Sequence, residues 1–358
     1  MGEIRWILLK QENKKKEQTR SSWKRIGKLL FLAAVFLTAF LALKDSWGSI
    51  WNELKTTSFK VVTGVFFLSI LYNCCDGCAL TKLLRTCDEN TPWSVGIGCS
   101  FYYSFFRVVT FGSGTAPAGM YYVSRRGIPA SRSLGIFTIN YTIQRISICL
   151  YFLFSFLSNY GAMNQYFGEY KTYMATGVVL AVLVAAALIT ACVCAPLHRL
   201  IFQLAEKVIR KEKQKEDLSK WQKKAIIVRT EARSLLKNKK LLLDLFILNF
   251  LKLSAWYLIP VTIFHLLNSS ELSLYMATAA MMTALSGVIP APGGVGAAEF
   301  LFVLLFTPLI GKTQSASAML IYRFATYILP FILGAIVAAT THSKKILHSQ
   351  SQSAFPVC

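Results

Sequence analysis

Acidic side chains are scarce in this chain. Its 358 residues hold 17 Asp and Glu against 39 Lys and Arg, a formal net charge of +22. Charged residues of both signs make up only 16% of it, below the roughly 25% usual in soluble domains. Histidine is rarer still, with four, and there is no His-rich metal motif. A Gly-x-Ser-x-Gly elbow, a Walker loop and a dinucleotide fingerprint are also missing, and the scattered serines have no evident base beside them. The common sequence signatures of hydrolase, nucleotide and metal chemistry are therefore absent. The expectation is a protein with no cofactor and no metal that is not by itself an enzyme. Cysteine is present nine times, an odd number. Cys99, Cys149, Cys192 and Cys194 lie in apolar stretches, which argues against a secreted disulfide framework. Cys74, Cys75 and Cys78 have no second cluster or nearby histidine, and read as small residues packing a membrane helix. Nor do short segments alternate with period two, as a membrane β-barrel requires.

What the chain does have is apolar residues, 54% of the total with a mean hydropathy of +0.47. They come in blocks of about 18 to 25, the length that crosses a roughly 30 Å hydrocarbon core. Backbone groups in lipid must be satisfied internally, so such blocks are helices. The fold class is an all-α polytopic membrane protein. The start of the chain, polar and basic with Lys14, Lys15 and Lys16 in a row, is no signal peptide. Six full spans are expected: Leu29 to Leu43, Phe59 to Leu80, Ser133 to Leu157, Thr172 to Ala195, Leu241 to Leu266, and Ala316 to Thr341. Two further apolar stretches are interrupted by Gly and Pro. One runs from 92 to 123 and breaks at Gly112, Gly114, Pro117 and Gly119. The other runs from 272 to 310 and breaks at Pro290, Pro292, Gly293, Gly294 and Gly296.

Charge decides whether these stretches cross the membrane or turn back. If each is a re-entrant hairpin, about 30 Lys and Arg fall on the cytoplasmic side and about 5 outside, a strong positive-inside bias. The first hairpin then enters from the cytoplasm and the second from the outside, with both termini cytoplasmic. The excess positive charge thus sets topology and attracts anionic inner-leaflet lipid, and nucleic acid is not the expected partner. Span, hairpin and span occur twice with opposite orientation, the pattern of an inverted repeat. Two kinked ordinary spans are the alternative. The organisation is a basic cytoplasmic tail (1–28), a first membrane half (29–195), a basic linker (196–240), a second membrane half (241–341) and a cytoplasmic tail (342–358). The linker carries a stripe of Leu197, Leu200, Ile201, Leu204 and Val208 and another of Leu218, Trp221, Ala225, Val228, Ala232 and Leu235. These read as basic amphipathic helices on the inner leaflet, or as a solvated hairpin joining the halves.

Arg107, Arg145, Lys252, Arg323, Asp76, Asp244 and Glu299 fall inside apolar segments. A charge at a helix centre costs about 2.5 to 3.5 kcal/mol on insertion scales, so it needs a partner or a task. Lys252 and Asp244 are expected to pair helices, and Asp76 to lie near a wet cytoplasmic end. Arg145 and Arg323 each sit in the span after a hairpin and are symmetry mates in the repeat. Arginine stays protonated and its planar fork matches a phosphate. With Arg107 and Tyr322 they are the candidate substrate-binding residues. Glu299 either pairs with an Arg or meets a headgroup amine.

Phe111-Gly-Ser-Gly-Thr-Ala-Pro-Ala-Gly119 followed by Arg125-Arg-Gly-Ile-Pro129, and Pro290-Ala-Pro-Gly-Gly-Val-Gly-Ala-Ala-Glu-Phe300 followed by Tyr322-Arg-Phe-Ala-Thr-Tyr-Ile-Leu-Pro330, resemble the lysylphosphatidylglycerol synthase transmembrane family, the flippase-like membrane domain of the multiple peptide resistance factor. The resemblance covers roughly Leu29 to Thr341. It implies movement of aminoacylated phosphatidylglycerol or a related lipid between leaflets of the plasma (inner) membrane, and a link to cationic antimicrobial peptide resistance. It also implies a cytosolic synthase domain that this sequence lacks, so a lysyltransferase activity is not expected of the chain alone. Gln144 stands where many relatives carry an acidic residue before the arginine. Three classes follow: a stand-alone phospholipid translocase, the membrane subunit of a lipid-modifying system that docks a soluble enzyme, and an intramembrane enzyme. The oligomeric state is not readable from the sequence.

Overall fold

A computed structural model describes residues 57–168, 237–265, 271–287 and 296–353, with Lys55, Ile289 and scattered positions between 179 and 234; at 130, 131 and 342–353 it describes the backbone only. The expected spans Leu29 to Leu43 and Thr172 to Ala195, the N-terminal tail and most of the basic linker lie outside the described residues. So do the break residues Pro290, Pro292, Gly293 and Gly294.

Every regular element among the described residues is a helix. They are α1 (Phe59–Leu84), α2 (Trp93–Val109), α3 (Thr115–Ser124), α4 (Ala130–Ser158), α5 (Tyr160–Phe167), α6 (Lys239–Ile263), α7 (Leu272–Ser286), α8 (Ala297–Ile310), α9 (Lys312–Arg323), a π-helical turn (Phe324–Ile328) and α10 (Leu329–Ser353). Four stretches are long and apolar enough to cross a membrane: Phe59–Leu84, Arg132–Ser158, Lys239–Ile263 and Lys312–Thr341. These are the four expected spans that fall on described residues. The last is α9, the π turn and α10 run together.

Between α2 and α3 the chain turns through a Schellman-type end. Gly112 N–H donates to the Arg107 carbonyl at 2.7 Å and Phe111 N–H to the Val108 carbonyl at 3.3 Å. Phe111 (φ 48°) and Gly112 (φ 87°) are both left-handed, and glycine is the usual residue at such a helix end. Pro117 and Gly119, expected in the break, lie inside α3 instead. Pro117 is its third residue, where the N–H that proline lacks has no helical acceptor in any case. Gly119 lets α3 approach α4, for a Cβ there would meet the Phe137 ring. In the second half, α7 ends at Ser286 and α8 begins at Ala297 after Gly296 (φ 85°).

α1 packs along α6 and against α2; α2 packs on α10, and α7 packs on α4. Burial of apolar surface does not drive helices together in lipid, so close packing and polar pairing must. The α1–α2 crossing uses both. A Cβ on Gly77 would meet the Ile97 backbone, and one on Gly96 would meet Thr81 and the Gly77 carbonyl. Between α1 and α6, Lys252 Nζ pairs with Asp76 Oδ1 at 2.8 Å, and Ser100 donates to Asp76 Oδ2 at 2.9 Å. Lys82 pairs with Asp244 at 2.6 Å nearer the helix ends. Asp76 is therefore not wet: it is 4% exposed, against a fully covered Lys252. A buried ammonium needs a counter-charge, and Asp76 supplies it.

The π turn has a local cause. Pro330 has no N–H for the Thr326 carbonyl four residues back, and its ring crowds that carbonyl, so the regular ladder cannot continue. The carbonyls freed there are taken by the first half of the chain: Arg107 Nη2 donates to Thr326 at 3.2 Å and Ser69 Oγ to Ala325 at 2.6 Å.

Candidate functional site

A cavity of about 610 Å³ opens where elements of both halves meet. Tyr72 of α1, Arg107 of α2, and Gln144 and Arg145 of α4 come from the first half. Trp256 of α6, Ser286 at the end of α7, Glu299 of α8, Tyr322 and Arg323 of α9, and Thr326 and Tyr327 of the π turn come from the second. All five side chains expected to bind substrate, Arg107, Arg145, Glu299, Tyr322 and Arg323, thus line one cavity. The sequence places them in four different segments with up to 216 positions between them, and only the packing of α2, α4, α8 and α9 around one space joins them.

The five do not share one environment. Arg323 Nη2 pairs with Glu299 Oε1 at 2.8 Å, and its guanidinium lies 3.9 Å from the centre of the Tyr327 ring. The other carboxylate oxygen of Glu299 accepts from Gly296 N–H at 2.7 Å. That contact satisfies a donor at the start of α8, which is where a helix N-terminus favours negative charge. Both oxygens of Glu299 are therefore engaged. Arg107 is held by the Thr326 carbonyl, and its Nε–H is buried without an acceptor. Arg145 lies 5.0 Å from the Tyr141 ring and forms no ion pair among the described residues. Its guanidinium sits against Gly287, where a Cβ would collide with Nη1. Tyr322 is 6% exposed and packs edge-on to Trp256 at 6.1 Å and against Phe302 at 4.9 Å. Of the break residues, Gly112, Gly114, Pro117, Gly119 and Gly296 do not line the cavity.

Three guanidinium groups face one carboxylate, so the lining carries a formal excess of two positive charges. No other Asp, Glu, Lys, Arg or His of the described residues lines it. In a low-dielectric setting such an excess attracts an anion strongly. Arginine forks and Tyr hydroxyls are donors suited to phosphate oxygens. The aromatic members Tyr72, Trp256 and Tyr327 were not among the expected residues. One signal for Tyr327 was available: it stands one helical turn after Arg323, as Tyr141 stands one turn before Arg145.

Residues 26–334 match the family described as the lysylphosphatidylglycerol synthase TM region. The chain belongs to that family. It is accordingly an integral membrane protein of the lysylphosphatidylglycerol synthase TM family, with a membrane lipid-related function. Every cavity-lining residue lies within the family match. No curated protein matches the chain.

Proposed function

We propose that the protein is a phospholipid translocase of the plasma (inner) membrane, with both termini cytoplasmic. The observation that carries this reading is the cationic cavity itself, built by both halves and holding a guanidinium, Arg145, with no carboxylate beside it. A lipid phosphate enters that space and is held by the arginines, while the acyl chains stay in the bilayer. Exchange of packing between halves supports an inverted repeat. The hairpin arm α2 leans on the last span α10, and the matching arm α7 leans on α4. In such a repeat these two contacts are equivalent. The two halves then change exposure around a fixed site, as inverted-repeat carriers do. The positive-inside count supports opposite orientations of the 92–123 and 272–310 hairpins. The reading assigns the chain transport rather than catalysis, downhill or ion-coupled, because the sequence has no ATP motif.

The test is reconstitution of the full chain in vesicles with headgroup-labelled lipids. Arg145→Lys keeps the charge but loses the fork. A charge-assisted hydrogen bond is worth roughly 1.5 to 3 kcal/mol, so the expected loss is about tenfold or more in lipid movement. Undiminished movement in Arg145→Lys would remove the phosphate clamp from the mechanism, and no protein-dependent movement of any lipid would remove the translocase reading.

A further inference from the structure

We propose that this cavity selects lipids whose headgroup is net anionic, a phosphomonoester above all, and rejects headgroups that carry an added amine. The inference rests on the translocase reading for its transport arm and on charge alone for its binding arm. An amine is held most strongly by a free carboxylate or an unoccupied aromatic face. The one carboxylate in the lining among the described residues, Glu299, already serves Arg323 through one oxygen and the Gly296 N–H through the other. Tyr327 and Tyr141 already carry the guanidinium groups of Arg323 and Arg145 over their faces. Tyr72 has the Lys252 ammonium 5.6 Å from its ring centre. Another cation would enter a space whose described lining already carries two uncompensated positive charges.

An anion meets the opposite situation. Arg145 has no ion-pair partner among the described residues, and Arg107 has a single carbonyl and a buried Nε–H with no acceptor. A phosphomonoester at neutral pH carries a charge of about −1.5 to −2 and offers three terminal oxygens. It neutralises the excess of two, which a diester only halves. Aminoacylation by lysine turns the phosphatidylglycerol headgroup from an anion into a net cation, the worst match. The specificity determinant is Arg145, and Gly287 positions it. With hydrogen as its side chain, residue 287 leaves room for Nη1.

The experiment uses the full chain in neutral phosphatidylcholine vesicles. Phosphatidic acid, phosphatidylglycerol, phosphatidylethanolamine and lysylphosphatidylglycerol of the same acyl length are each assayed for binding, as a gain in thermal stability, and for movement between leaflets. Inorganic phosphate and glycerol phosphate are assayed as water-soluble phosphates. The expected order is phosphatidic acid, then phosphatidylglycerol, then phosphatidylethanolamine, with lysylphosphatidylglycerol at least about tenfold below phosphatidic acid. Arg145→Gln and Gly287→Ala should each flatten that order while the unliganded protein keeps its thermal midpoint. Lysylphosphatidylglycerol bound or moved as well as phosphatidic acid overturns the proposal and leaves the translocase reading standing. Anion-selective binding without movement of any lipid does the reverse. Stabilisation by inorganic phosphate equal to that by phosphatidic acid overturns the assignment of a lipid as ligand.

Discussion

Charged side chains within apolar segments divide into two kinds in this molecule. Lys252 and Asp76 form a buried pair that does not line the described cavity, whereas Arg145 faces that cavity without a partner carboxylate among the described residues. Removing one member of a buried pair strands the other, which costs about 3 to 5 kcal/mol, while replacing both by apolar residues of similar volume is close to neutral. Lys252→Met should therefore lower the thermal midpoint sharply, and Lys252→Met with Asp76→Leu should recover most of the loss. Thermal unfolding in detergent, followed by intrinsic fluorescence, checks both, and equal midpoints for the single and double variants would sink the argument. The arginines were legible in the sequence because a charge is conspicuous where charges are expensive. Tyr72 and Trp256 were not, since a chain with 25 Phe, 15 Tyr and 7 Trp gives no aromatic residue any contrast. The pairing of Asp76 with Lys252 was illegible for a different reason. They stand 176 positions apart, and nothing in either segment says which helix face the other meets.

Helices were the easier level to read. Length and apolar content identify a span directly, and the four that fall on described residues begin and end within a few positions of their expected bounds. Breaks were harder, because Gly and Pro mark a neighbourhood and not a position. Pro117 and Gly119 belong to α3 since a helix accepts proline in its first turn and glycine wherever a neighbour comes close. The π turn after Arg323 was missed altogether, although Pro330 is its cause and was in plain view. Close approach yields a prediction at this scale. Gly77→Val places a branched side chain against the Ile97 backbone, and overpacking of that kind costs about 1 to 3 kcal/mol or more. The expected result is a clear fall in thermal midpoint, with Gly161→Val, where nothing lies within 4 Å, as a variant that leaves it within about 0.5 kcal/mol of the parent.

At the scale of the whole molecule, the halves are held together by contacts that each supplies to the other: α1 with α6, α2 with α10, α7 with α4. No reading of the sequence could provide these. It provides the order span, interrupted stretch, span, twice over, and the charge on the connecting loops. The orientation of the interrupted stretches remains the strongest consequence of that charge. In a background without the native cysteines, single cysteines at Arg85 and Ser124 should react with a membrane-impermeant maleimide from the same face. Labelling from opposite faces would show that 92–123 is a full crossing and dissolve the inverted repeat.

Pro330 is not among the residues that line the cavity, yet it governs what the cavity can offer. By withholding one N–H from its own helix it leaves the Thr326 carbonyl in need of a donor, and Arg107 answers with Nη2. A regular helix there would return that hydrogen to Arg107. The number of guanidinium hydrogens facing an incoming phosphate is thus set by a missing hydrogen on a neighbouring backbone, four residues further along the chain.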